Sequence, residues 1–227
     1  MRSAAFDPDC QACPRLADFL LEVKEQHPDY HCRPVAPFGD PDAQLLIVGL
    51  APGMHGANAT GRPFTGDHAG ILLYETLYAC GFSSAPASMH VDDGLQLANC
   101  RITNAVKCLP PQNKPLGGEV RECNAFLQQE LQSLPSAGVV LALGGVAHRA
   151  IVAATGKRQV DFPFAHGAEH DLDEGKVLLD SYHCSRYNTQ TRRLTPLMFR
   201  QVFERAGQLL QGSAGLGIEA RVGQECP

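Results

Sequence analysis

The sequence predicts one α/β domain whose parallel sheet is covered by helices on both faces. Three observations carry this reading. Continuous apolar runs of strand length end in Gly or Pro, they alternate with segments of helical period, and the unusual polar sequences cluster just after the apolar runs. The length fits as well: 227 residues, 44% hydrophobic and 19% charged, suffice for one buried core.

The elements follow in order. After Cys10 and Cys13, Leu16, Phe19, Leu20 and Val23 recur at helical spacing, which predicts a short amphipathic helix. QLLIVGLAPG (44–53) reads as a strand buried on both faces that opens into the polar loop 54–68. A helix is expected over 71–80 and a second short strand in NCRITNAV (99–106), followed by the loop LPPQNKPLGG. A long helix over 119–134 precedes AGVVLALGG, the clearest buried strand, and the helix VAHRAIVAATG. KVLLDSYH (176–183) supplies a further strand, and LTPLMFRQVFERAGQLL a closing amphipathic helix. The domain is therefore placed at 1–210, and the Gly-rich, aperiodic tail 211–227 is expected to be mobile. In such folds the ligand site lies at the carboxyl ends of the strands, where GLAPGMHGANATGRPFTGD, TNAVKC and HCSRYNTQT all fall.

Charge and cysteine content narrow the function. The net charge of −5 argues against a protein that coats nucleic acid through a uniformly basic surface. Two segments are nonetheless locally basic: 101–158 carries seven Lys/Arg against three Asp/Glu, and 181–205 carries five against one. No apolar stretch approaches the ~18 residues of a membrane span, and the start lacks the pattern of a signal peptide, so a soluble, cytoplasmic protein is expected. In that compartment nine cysteines do not make a disulfide framework. Cys10 and Cys13 form C-x2-C, and Cys108 and Cys123 form C-x14-C. Four converging thiolates would hold tetrahedral zinc or a [4Fe-4S] cluster, and a redox C-x2-C is the competing use of the first pair. Cys80 and Cys100 read as core residues, whereas Cys32, Cys184 and Cys226 have no clear assignment. The run GLAPG is not a dinucleotide fingerprint, because the G-x-G-x-x-G spacing is absent. His148 lacks a nucleophile partner and reads as structural or as helix surface.

GLAPG (49–53), HGANATGRPFTGD (55–67), ITNAVKCLPPQNKP (102–115) and SYHCSRYNTQTRRLT (181–195), with the four thiols, occur in the order seen in one family. The chain resembles the iron–sulfur branch, family 5, of the uracil-DNA glycosylase superfamily. The resemblance implies a central four-stranded parallel sheet and excision of deaminated bases from DNA without strand cleavage. It also implies that Cys10, Cys13, Cys108 and Cys123 hold a [4Fe-4S] cluster. Phe64 matches the aromatic on which the flipped base stacks, Asn104 the base reader, and His183 the donor to the carbonyl where charge builds as the base leaves. Ser185, Arg186, Tyr187 and Asn188 match the loop that enters the minor groove, with Arg186 also meeting a phosphate. Lys107 and Lys114, beside the thiols, are expected to face DNA, and Gly49, Ala51, His55 and Asn58 to border the base pocket. Where other branches carry a carboxylate in the first motif, this chain has Leu50 and Ala51, and Asp67 is the family's substitute. The same Asp67 precedes a helix and could act only as its cap. Missing first-motif carboxylates support one competing reading, a metal-stapled module that binds damaged DNA without catalysis. The partner in either reading is damaged DNA, bound by a monomer.

Overall fold

In the computed structural model, which describes residues 6–216, six strands form one mixed sheet. The strands are β1 (Phe38–Gly39), β2 (Leu45–Gly49), β3 (Cys100–Asn104), β4 (Val139–Leu143), β5 (Glu169–Asp171) and β6 (Val177–Ser181), in the spatial order β1-β3-β2-β4-β6-β5. The pairs β3·β2, β2·β4 and β4·β6 are parallel, whereas β1 on β3 and β5 on β6 are antiparallel edges. The sheet is thus wider than the four strands expected, and mixed rather than purely parallel. The two edges have two and three residues, too few to show an apolar period, and only pairing to a longer neighbour makes them strands.

Among the described residues seven α-helices accompany the sheet: α1 (Pro14–Gln26), α2 (Ala57–Thr60), α3 (His68–Ala79), α4 (Gly117–Ser133), α5 (Gly145–Ala154), α6 (Arg186–Gln190) and α7 (Pro196–Leu216). Both faces of β2 and β4 are buried, which is why LLIVG and VVLAL read as unbroken apolar runs. Alternate strand residues divide between two cores. Leu45, Ile47, Ile102, Leu141 and Leu179 pack with Leu73, Tyr74 and Leu77 of α3 and Phe199 and Phe203 of α7. Leu46, Val48, Val140, Ala142 and Leu178 pack with Leu127 and Leu131 of α4 and Ala147, Ala150 and Ile151 of α5. A third, smaller core joins Leu16, Leu20 and Val23 of α1 to Val106, Cys108, Leu109 and Cys123.

The start of the expected tail is helical, since α7 runs to Leu216; the rest of it, with Cys226, lies outside the described residues. Among the described residues no helix is long and apolar enough to cross a membrane.

Chain direction decides where the site forms. From β2 the chain crosses to β3 on one side and then to β4 on the other, so the crevice at the carboxyl ends of β2 and β4 is a topological switch point. Backbone bonds carry the ladder into that crevice: Ala105 N donates to Gly49 O (2.9 Å), Val106 N to Leu50 O (3.0 Å), and Gly144 N to Ser181 O (2.8 Å).

Candidate active site and thiol site

A cleft of about 670 Å³ opens at this switch point. Ala51 follows β2, Asn104 ends β3, Gly144 follows β4 and His183 follows β6, while Phe64 and Asp67 come from the segment leading into α3. Gly49 is the spacer on which this convergence depends. A Cβ at Gly49 would sit 2.4 Å from Asn104 Oδ1 and 2.6 Å from Phe64 Cζ, so the bare backbone lets both side chains close over it. Phe64 itself has a φ of 55°, a left-handed conformation held by its surroundings. Tyr74 donates to the preceding carbonyl of Pro63 (3.0 Å), and Gly70 lies so close to the Phe64 carbonyl that a Cβ there would come within 1.8 Å.

Asn104 is only 4% exposed, and its Oδ1 is buried without a hydrogen-bond partner. A buried acceptor without a donor is costly and marks a place where a ligand donor is wanted. His183 lies at the cleft wall, its ring centroid 6.0 Å from that of Phe64. The His183 Nδ1 is buried and unpartnered, and burial lowers the ring's pKa to about 4. The ring is therefore neutral at pH 7. We assign its proton to Nε2, because an orphaned N–H at Nδ1 would cost more than an orphaned lone pair. His183 is expected to titrate near pH 4 in an NMR experiment following its ring carbons. Since the folded pKa lies below the ordinary 6.5, its contribution to stability is complete above pH 6.5 and is lost as pH falls towards 4. Titration near the ordinary value would show a solvated ring.

Asp67 caps α3, its Oδ1 accepting from Gly70 N (2.8 Å). The other carboxylate oxygen, Oδ2, faces the Gly53 and Gly56 backbone, and a Cβ at Gly56 would come within 2.5 Å of it. Burial pushes the Asp67 carboxyl above the usual range, while the N–H groups of Gly70 and Ala69 draw it back. Cap and cleft-lining roles therefore coexist in one side chain.

The other expected site residues divide. Ala51 and His55 line the cleft, and the exposed His55 bonds Tyr30 through its Nδ1 (2.9 Å). Arg186 lines the cleft and is exposed, as are Tyr187 and Lys114. Four assignments need correction. Asn58 does not border the cleft: it is fully buried, its Nδ2 donating to Cys32 Sγ (3.5 Å). Lys107 does not face DNA; it is 1% exposed and pairs with Glu130 Oε1 at 2.7 Å and with Thr103 Oγ1. The carboxamide of Asn188 is not free to enter a groove, because its Nδ2 donates to the carbonyl of His183 (2.8 Å) and so fixes that residue. Ser185 caps the short helix α6 instead of lying in an open loop. Sequence reasoning missed His68, Asn113 and Val146 at the cleft. Of these only His68, beside Asp67, had a signal in its position.

The four expected thiols meet where the start of α1, the segment after β3 and the middle of α4 come together. None is in a disulfide. Burial, together with the charges of the neighbouring thiols, Cys10 and Cys123 among them, raises the pKa of Cys13 to about 11 and of Cys108 to about 12. Burial also raises Cys123, against which the Lys107 backbone N–H donates. Four thiols brought together in this way are a soft donor set of the kind that holds zinc or an iron–sulfur cluster. Arg15 braces it, bonding both carboxylate oxygens of Glu119 at 2.7 Å across α1 and α4.

The uracil-DNA glycosylase superfamily model matches residues 36–207. The chain belongs to that superfamily. Within it, the chain is 47% identical to the type-5 uracil-DNA glycosylase of Thermus thermophilus over 88% of its own length and 93% of that protein. Identity to the type-5 uracil-DNA glycosylase of Mycobacterium leprae is 41%, over 88% and 91%. To that of Pyrobaculum aerophilum it is 40%, over 87% and 88%. The match to the superfamily spans every strand of the sheet and every cleft residue named above.

Proposed function

We infer that this chain is a DNA repair enzyme that hydrolyses the N-glycosidic bond of deoxyuridine in DNA, leaving an abasic site. The observation that carries the reading is the convergence of a buried, unpartnered Asn104 Oδ1 and the Phe64 ring over the bare Gly49, with the neutral His183 ring 6.0 Å from that of Phe64. A flipped uracil would stack on Phe64, and its N3–H would meet the Asn104 oxygen. His183 Nε2–H would donate to the carbonyl oxygen that gains charge as the base departs, a contribution that is largest in a water-poor site. The glycosidic electron pair leaves with the base, and water adds to the sugar cation. Asp67 would stabilise that cation or orient the water through Oδ2, the oxygen not engaged in capping α3. Among the described residues no lysine lines the cleft, which supports hydrolysis without a Schiff base. Arg186 and Tyr187 at the mouth supply the exposed cation and ring for the DNA backbone and the vacated stack. We extend the reading to hypoxanthine, to single as well as double strands, and to a monomeric, cytoplasmic enzyme.

The test is incubation with oligonucleotides carrying uracil or hypoxanthine, single-stranded or opposite each base, with abasic sites scored by alkaline cleavage. Uracil release is expected. Tight binding with no release from any substrate would favour the non-catalytic module. Asp67→Asn separates the two roles of that residue, because Asn caps helices as well as Asp does. It is expected to lower kcat by ~10²-fold while leaving the thermal midpoint nearly unchanged; equal kcat would leave Asp67 as a cap only.

Cys10, Cys13, Cys108 and Cys123 are proposed to hold a [4Fe-4S] cluster, which when bound acts as a structural staple between α1 and α4. Cys108→Ser is expected to lose iron, measured by elemental analysis, and to lower the thermal midpoint. A Cys108→Ser protein that keeps its iron and its activity would overturn the assignment.

A further inference from the structure

Between α5 and the β6–β5 edge of the sheet, three side chains that no part of the glycosylase chemistry uses meet in the interior. Asp180 of β6 is fully buried, His148 of α5 is 1% exposed, and His170 of β5 closes the group from the sheet edge. One ligand atom from each lies within 4.8 Å of the others. His148 Nδ1 stands 2.8 Å from Asp180 Oδ1, and His170 Nε2 stands 3.4 Å from Asp180 Oδ2.

Hydrogen bonding alone leaves this group incomplete. His148 Nε2 faces the carbonyl of Phe162 at 2.8 Å, an acceptor only, so Nε2 carries a proton. Asp180 Oδ2 and His170 Nε2 face each other but make no hydrogen bond, and both are buried. Two unpartnered polar atoms aimed into one small space are costly unless something else satisfies them. A cation would do so for all three residues at once. With Nε2 held by Phe162, burial lowers the His148 pKa but the bond to Asp180 outweighs it and raises it, so Nδ1 also carries a proton towards Asp180, and a cation would take the Nδ1 lone pair by displacing that proton. Histidine ligands of metals are commonly oriented in this way, by a carbonyl on the far ring nitrogen.

We propose that His148, His170 and Asp180 form a second metal site, selective for Zn2+ and separate from the four thiols. Two imidazoles and one carboxylate suit zinc in nature and number, with a fourth position left for water, and the set contains no sulfur that would attract a soft ion. Bonds of ~2.0–2.2 Å require the 2.8 Å separation of His148 and Asp180 to open by a few tenths of an ångström, within reach of a small carboxylate rotation. The ion would clamp the three-residue edge strand β5 to β6 and α5. It would not touch substrate. Its influence on the cleft would run through the backbone, since Gly145 and Val146 of α5 line the cleft and His183 lies three residues beyond Asp180.

The experiment uses the protein as purified, with its thiol site loaded, and adds 113Cd2+ and Zn2+ separately. One equivalent of 113Cd2+ is expected to give a resonance in the region of nitrogen and oxygen ligands, resolved from any thiolate-bound signal. Zn2+ is expected to raise the thermal midpoint in a concentration-dependent way, as a ligand of the folded state must. His170→Gln and the isosteric Asp180→Asn are expected to lose both the resonance and the Zn2+-dependent rise while keeping their iron. If Asp180→Asn fails to fold, His170→Gln on the sheet edge and the wild-type cadmium spectrum still decide. Absence of any resonance outside the thiolate region, or a midpoint rise that survives both substitutions, overturns the site.

Discussion

His183→Ala is expected to lower kcat for uracil release by ~10²–10³-fold, the usual effect of removing one donor to a developing oxyanion. The expectation rests on the state of the ring. A neutral imidazole with Nδ1 sealed off has only Nε2–H to offer, and the residue lines the cleft. KM is expected to change little, because the donor strengthens as charge moves onto the base and contributes less to the neutral ground state. The fold should tolerate the change. Nδ1 of His183 makes no hydrogen bond, and the residue is held through its carbonyl by Asn188, an interaction that alanine retains. Single-turnover kinetics on a uracil duplex, with the thermal midpoint measured in parallel, check both halves. A fall in kcat below ~5-fold would remove His183 from the chemistry.

Gly49→Ala is the second large effect, and it arises from sterics alone. The new methyl would lie 2.4 Å from Asn104 Oδ1 and within 2.7 Å of two Phe64 ring atoms, so the reader and the stacking ring must both shift. Displacement of about 1 Å at such groups costs roughly 10²-fold in rate, and forced overpacking costs about 1–3 kcal/mol of stability. Both kcat/KM and the thermal midpoint are therefore expected to fall. Gly53→Ala, four residues on, provides the contrast. Its methyl would meet only Asp67 Oδ2 at 3.5 Å, an ordinary contact, and a much smaller loss is expected. Equal losses at the two positions would mean that loop flexibility, not the gap over Gly49, is what matters.

The sequence made the centre of the molecule legible and its margins much less so. LLIVG and VVLAL announce themselves because both faces of each strand are buried and every residue must be apolar. The edge strands Phe38–Gly39 and Glu169–Asp171 carry no such mark, since their existence depends on a partner distant in sequence. At the site, motif order located Phe64, Asn104 and His183, but not the left-handed backbone of Phe64, which is imposed by the packing of Gly70 and Tyr74. Charge reading failed at Lys107, because a lysine committed to a buried pair with Glu130 is written with the same letter as one that awaits a phosphate. The motif match misled at Asn188, whose carboxamide serves a neighbour five residues away.

Asn104 and Cys108 are separated by only three residues, and Lys107 between them is pinned by its side chain to Glu130 and Thr103 and by its backbone N–H to Cys123. One braced residue therefore joins the proposed base reader to a proposed cluster ligand. If the thiols hold a cluster as proposed, its oxidative loss is expected to disturb Asn104 too, so that uracil release falls before the thermal midpoint does.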